Sequence, residues 1–198
     1  MISNLSKKVV NYLILTGSID INEKELYEYG LFILLSTVFF MGVTSIIGFV
    51  FGLFLQSLLF FVTFIVIRQF AGGYHASTEL RCEIFTTLSI FFCTATMYLI
   101  RKPISIVVLV FVALMLSIFI FLYGPIDNEE KILSATELKV YRKRTRQILL
   151  VIIVVVIVSF YFEIKTICIP CCMSLILESI LLLAGKIQKV RMGKCGKT

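Results

Sequence analysis

Apolar residues in this chain come in long unbroken runs, and its charges are bunched between them. Residues 30–67 carry no Asp, Glu, Lys or Arg at all. A bilayer core about 30 Å thick takes about 20 apolar residues per helix, so this run is too long for one span. It predicts two, near 31–48 and 50–67, joined by a tight turn at Gly48–Gly52. Further runs predict spans near 84–100, 104–123, 147–162 and 171–185, with Arg101-Lys102-Pro103 as a short turn and Pro125 marking an exit. The runs are continuous rather than alternating, which argues against a transmembrane β-barrel. Ahead of them, residues 1–29 read as an amphipathic interfacial segment. Ile2, Leu5, Val9, Tyr12 and Leu13 recur at helical spacing, Lys7, Lys8 and Asn11 fall elsewhere on the wheel, and Gly17-Ser18 breaks the helix. The expected fold is an all-α polytopic membrane protein: a single integral domain over 1–198, with about six transmembrane helices preceded by an interfacial helix.

Composition agrees with this reading. The chain is 59% hydrophobic and 16% charged, against about 45–50% and about 25% in soluble domains. There is too little charge to cover a soluble core of this size. A net charge of +7 raises the question of nucleic acid, but the positive residues sit in short connections beside apolar runs. That placement suits topology and anionic lipid better, and no nucleic acid is expected. The first 30 residues show no compact apolar stretch followed by a small-residue cleavage site, so no cleavable signal peptide is expected. With the amino terminus inside, the inner segments hold 16 of the 19 Lys and Arg residues, leaving only Arg101, Lys102 and Lys165 outside. Both termini, the polar segment 68–83 and the basic loop 124–146 are therefore expected on the cytoplasmic side of a cell membrane.

Segment 68–83 differs from the rest. Reading Arg68-Gln-Phe-Ala-Gly-Gly-Tyr-His-Ala-Ser-Thr-Glu-Leu-Arg-Cys82, it holds the chain's one histidine, His75, and a cysteine seven residues later. A thiol attacks as its thiolate, which a neighbouring imidazolium or cation favours. An imidazole can take the thiol proton and return it to a leaving amine. Arg81 is a second candidate to stabilise the thiolate, although neighbours on a helix point about 100° apart. Gly72 and Gly73 permit backbone conformations closed to other residues and could turn amide groups towards an oxyanion. On one straight helix His75 and Cys82 would stand about 10.5 Å apart along the axis. A productive pair therefore needs the chain to fold back before Ser77, with the next helix starting near Ser77 or Thr78. On spacing alone, a loop histidine beside a small apolar filler is the commoner reading of such a pair.

The whole pattern resembles the AgrB family of membrane cysteine peptidases, which act in Gram-positive quorum sensing. Arg68, Gly72-Gly73-Tyr74-His75-Ala76 and Cys82 carry the likeness. The length, the amphipathic start, the span number, the basic second half and Tyr123-Gly-Pro-Ile-Asp127 support it. The resemblance implies an AgrD-type propeptide substrate, cleaved at its carboxyl-terminal tail through a Cys82 acyl-enzyme thioester with His75 as base. An internal Cys or Ser of the peptide then closes a thiolactone or lactone ring. It also implies a homodimer, with Arg68 and Gly73 supporting the site. No cofactor or metal is expected. An acidic propeptide tail could be held by Lys131, Lys139, Arg142, Lys143, Arg144 and Arg146, although positive-inside topology is the simpler account of the cluster.

Other features point elsewhere. Cys168-Ile-Pro-Cys171-Cys172, expected in an outer turn, invites a thiol oxidoreductase or zinc reading, although no second ligand pair accompanies it. Glu178 lies inside the sixth run, and an intramembrane carboxylate is a functional candidate that calls for a cationic partner. Six spans would also permit a small-substrate transporter, but no inverted repeat is visible. Asp127 and Glu79 are available to orient His75.

Overall fold

The computed structural model describes residues 2–73, 79–100, 103–125 and 135–195. Seven α-helices account for almost all of them. The first, α1 (Ile2–Leu15), ends in a Schellman turn. Gly17 takes φ +70°, with Ser18 N–H donating to Leu13 O and Gly17 N–H to Ile14 O. Asp20 then caps a short 3-10 turn by accepting from Asn22 N–H at 2.9 Å. This leads into α2 (Lys24–Val50), whose first turn carries a Lys24–Glu28 ion pair.

The chain divides into two compact units, Met1–Val43 and Thr44–Thr198. The second unit contains α3 (Phe54–Ala71), α4 (Glu79–Leu99), α5 (Pro103–Tyr123), α6 (Ala135–Tyr161) and α7 (Lys165–Cys195). Among the described residues six helices, α2 to α7, are long and apolar enough to cross a membrane. Their outward residues, such as Phe49, Leu99, Val108 and Val151, are exposed and apolar, as a lipid environment requires.

The exception is α7. In its span 72% of the residues are buried, against 11–33% in the other spans, and α3, α4, α5 and α6 all pack on it. Paired contacts give the directions. Thr63 meets Cys171, Arg68 meets Glu178 and Gly73 meets Leu181, so α3 and α7 run parallel. Ser179 donates to Leu116 O and Lys186 sits over the Tyr123 ring, so α5 also runs parallel to α7. Phe121 against Arg146 and Gly124 against Thr145 make α6 antiparallel to α5. Phe51, just before α3, packs against Phe91 and Tyr98 in the second half of α4, so α4 runs antiparallel to α3. The carboxyl ends of α3, α5 and α7 and the amino ends of α4 and α6 therefore gather at one end of the bundle.

Within the second unit, a tight hairpin joins the end of α2 to α3. Gly52 at φ +65° closes another Schellman turn, with Leu53 N–H bonded to Gly48 O at 2.7 Å. A Cβ on Gly48 would lie 2.8 Å from Ser57 Cβ and 3.2 Å from the Phe54 Cα. Substituting Gly48→Val should force the helices apart and cost about 1–3 kcal/mol, as overpacking does. Gly42, with open space around its Cα, should accept Ala without loss. Thermal unfolding in detergent, followed by a thiol-reactive dye, checks both.

The helices overrun three boundaries expected from the sequence. α6 starts at Ala135, so residues 135–146 of the expected basic loop are helical. The reason is an inward stripe at helical spacing, Leu138, Tyr141, Thr145, Leu149, Ile152 and Val156, which continues unbroken through the charges. α7 starts at Lys165 and carries Pro170 within it, so Cys168, Cys171 and Cys172 are buried helical residues rather than parts of an outer turn. Pro170 lies in the second turn of α7, where it gives up the i−4 bond to Thr166 O, a loss that a spanning helix packed among neighbours accommodates. α2 takes in Lys24 to Glu28, which the hydrophobic pattern assigns to the interfacial segment.

Candidate functional site

At the gathered end of the bundle, α3 stops where its backbone turns left-handed. Gly72 has φ +69° and Gly73 φ +122°, conformations that glycine adopts without a Cβ penalty. Arg68, in the last turn of α3, folds over this reversal. Its Nη1 donates to Gly72 O at 2.7 Å and stands 3.9 Å from Glu178 Oε1 on α7. The ion pair is almost withdrawn from solvent, with the Arg68 side chain 17% exposed and Glu178 0%. At 3.9 Å it is a charge attraction rather than a hydrogen bond, and among the described residues neither Glu178 carboxylate oxygen accepts one. Gly73 is squeezed in the same place. An added Cβ would collide with Arg68 Nη1 and lie 3.2 Å from Leu181 O.

Cys82 lies in the first turn of α4, half-buried. It heads the stripe Cys82, Thr86, Ile90, Cys93 and Met97, of which the last three are buried. That stripe is the inward face of α4, so the thiol is turned towards the bundle. The positive end of the helix macrodipole there favours an anion. Arg81 is exposed and leaves α4 on another side. Thr87 Oγ1 donates back to Glu83 O at 2.9 Å, as hydroxyls within spans do to satisfy themselves.

Arg68, Gly72 and Gly73 thus form one cluster, and topology brings Cys82 to the same end of the bundle. His75 lies outside the described residues, as do Lys131, Asp127 and the side chain of Glu79. The basic residues predicted for a loop stand on the first turns of α6. Lys139, Arg142, Lys143 and Arg144 are exposed there, while Arg146 is half-buried. Some of the charge is held by aromatic faces, with Arg144 5.7 Å from the Phe70 ring centre and Arg146 4.5 Å from that of Phe121. Across from them Lys186 sits 3.3 Å over Tyr123, within cation–π range.

The sequence marks Glu178 as an intramembrane carboxylate but not as the partner of Arg68, since 110 positions separate the two. A usable signal exists. Arg68 ends one apolar run and Glu178 interrupts another that runs the same way across the membrane. Opposite charges in such a place pair because each alone is costly. No group of three or more His, Cys, Asp or Glu among the described residues could hold a metal ion.

Six membrane-length helices, with a buried central helix, a charged clamp and an inward thiol in the second unit, define a polytopic α-helical membrane protein. The family model described as accessory gene regulator B, AgrB, matches residues 6–182. The chain belongs to that family. It is similar to two AgrB-like proteins of Clostridium perfringens. The one from strain SM101 is 26% identical over 152 residues, covering 73% of this chain and 70% of that protein. The one from strain 13 is 27% identical over the same shares. No solved structure matches the chain.

Proposed function

We propose that this protein is a membrane cysteine endopeptidase that cleaves the carboxyl-terminal tail from an AgrD-type propeptide and promotes its cyclisation for quorum sensing. The observation that carries the reading is the inward Cys82 at the start of α4, at the bundle end where the Gly72-Gly73 reversal leads into the segment bearing His75. The Cys82 thiolate adds to the scissile carbonyl. The resulting oxyanion collapses, His75 passes its proton to the leaving amine, and the tail departs, leaving the peptide as a thioester on Cys82. An internal thiol or hydroxyl of the peptide gives its proton to His75 and attacks that thioester, closing the ring and releasing Cys82 as its thiolate. A thioester lies uphill of an amide in water, so the intermediate must be kept from hydrolysis and captured within the same molecule. A site at the membrane interface favours both by excluding water and raising the effective concentration of the internal nucleophile. The charge asymmetry supports a cytoplasmic site, and an amphipathic propeptide would reach it along that membrane face.

The test is cleavage of an AgrD-type propeptide in reconstituted liposomes, read by mass spectrometry. The parent should release the tail and yield a trappable Cys82-linked thioester, and His75→Ala should do neither. Cys171→Ala should cleave as the parent does. Loss of activity in Cys171→Ala alone would move the chemistry to the buried thiols of α7.

Exposed cations on α6 would hold an acidic tail. The double substitution Arg142→Gln with Lys143→Gln should raise KM several-fold with kcat nearly unchanged. The rise should shrink as salt is added, because exposed charges are screened. A fall in kcat at constant KM would show that these residues serve the chemistry instead.

A further inference from the structure

Glu178 is a feature that the proposed reaction does not use. It is fully buried in the central helix, its carboxylate oxygens take no hydrogen bond among the described residues, and a membrane interior penalises such a group heavily. Its surroundings point to a purpose. The cation facing it, Arg68, makes a second contact with the carbonyl of Gly72. The next residue, Gly73, is held between Arg68 and the backbone of Leu181, one turn beyond Glu178. His75 follows Gly73 by two residues, so whatever fixes Gly73 fixes the root of the histidine's segment.

We propose that Glu178 is a positioning residue for the His75–Cys82 reaction: through Arg68 it locks the Gly72-Gly73 reversal against α7 and so sets where the segment carrying the histidine begins. This rests on the peptidase reading above. A carboxylate anchored in the most buried helix is a stiffer reference than water or a loop would be, and one guanidinium nitrogen, Nη1, faces carboxylate and carbonyl together. Glu178 touches no reacting atom; its effect passes through Arg68 and the two glycines.

The test uses the full chain in liposomes and iodoacetamide as the probe, with alkylation of Cys82 followed by peptide mass spectrometry near pH 7 and near pH 10. If the histidine is correctly placed, it helps the thiol react near neutrality and matters little once base alone ionises thiols. Glu178→Gln should therefore slow alkylation near pH 7 about tenfold and change it less than about twofold near pH 10, as His75→Ala does. Glu178→Asp should recover part of the loss. Equal slowing at both pH values would mean a general loss of structure and would overturn the proposal, as would parental rates in Glu178→Gln. Should Glu178→Gln fail to fold, the double variant Arg68→Met with Glu178→Leu decides, since apolar pairs commonly replace buried ion pairs without loss of fold. If it is folded and slow near pH 7 only, the proposal stands. A folded, parent-like double variant, or one that cannot fold at all, overturns it. Cleavage by Cys82→Ala in the same liposomes would instead sink the peptidase reading, and the alkylation ratio would still report on the clamp.

Discussion

With Cys82→Ala, propeptide and protein should be recovered unchanged, and tail release should fall on the order of 10⁴-fold or more. The size follows from the proposed route. An amide bond breaks here only by transferring its acyl group to sulfur, and alanine offers nothing to receive it. Because thiol and imidazole act as one unit, His75→Ala should cost about as much, and the double variant little more than either single one. Stability should hardly move. Cys82 is half-buried at the start of a helix, where removing one sulfur atom leaves no sealed cavity. A melting curve close to the parent's, together with lost cleavage, separates chemistry from folding. Continued cleavage by the alanine protein would sink the assignment of Cys82 outright.

A single methyl group on Gly73 should cost nearly as much, for a different reason. At φ +122° an alanine is strained, by about 1–3 kcal/mol. Its Cβ would also occupy the place of Arg68 Nη1, with the Leu181 carbonyl 3.2 Å away on the other side. A helix backbone cannot retreat, so Arg68 must. Its bond to Gly72 O would then be lost, and Glu178 would be left buried without its cation. Parting such a pair costs about 3–5 kcal/mol, more than the chain recovers by keeping the reversal as it is. The Gly73→Ala protein should therefore lose at least about 100-fold in cleavage, since a misplacement of about 1 Å suffices for that, and should melt earlier in detergent. Parental cleavage by Gly73→Ala would mean that the reversal seen at the end of α3 is not the one the reaction uses.

Much of this fold is legible in the order of residues. Uninterrupted apolar runs can be solvated only by lipid, and the glycines at 17 and 52 stop helices because a left-handed residue is what a Schellman turn needs. Residues 135–146 mislead because charge density reads as loop. The helix there is held by one narrow inward stripe, and Lys139, Arg142 and Lys143 stand exposed away from it. Cys168, Cys171 and Cys172 mislead because Pro170 reads as a helix boundary, whereas a spanning helix packed among neighbours accommodates a proline.

The class of protein, the number of spans and the residues able to carry nucleophilic chemistry all follow from the amino-acid sequence. Hydrophobic length and residue type are local properties and can be counted along a chain. The packing of the helices was needed to show that α7 is central and that Arg68 faces Glu178. It was needed also to show that Gly73 has no room for a side chain. Each of these depends on which helices are neighbours and at what register, and in a bilayer that is set by close packing and charge pairing between distant segments. An apolar run carries no record of either, because every face of it is equally at home in lipid.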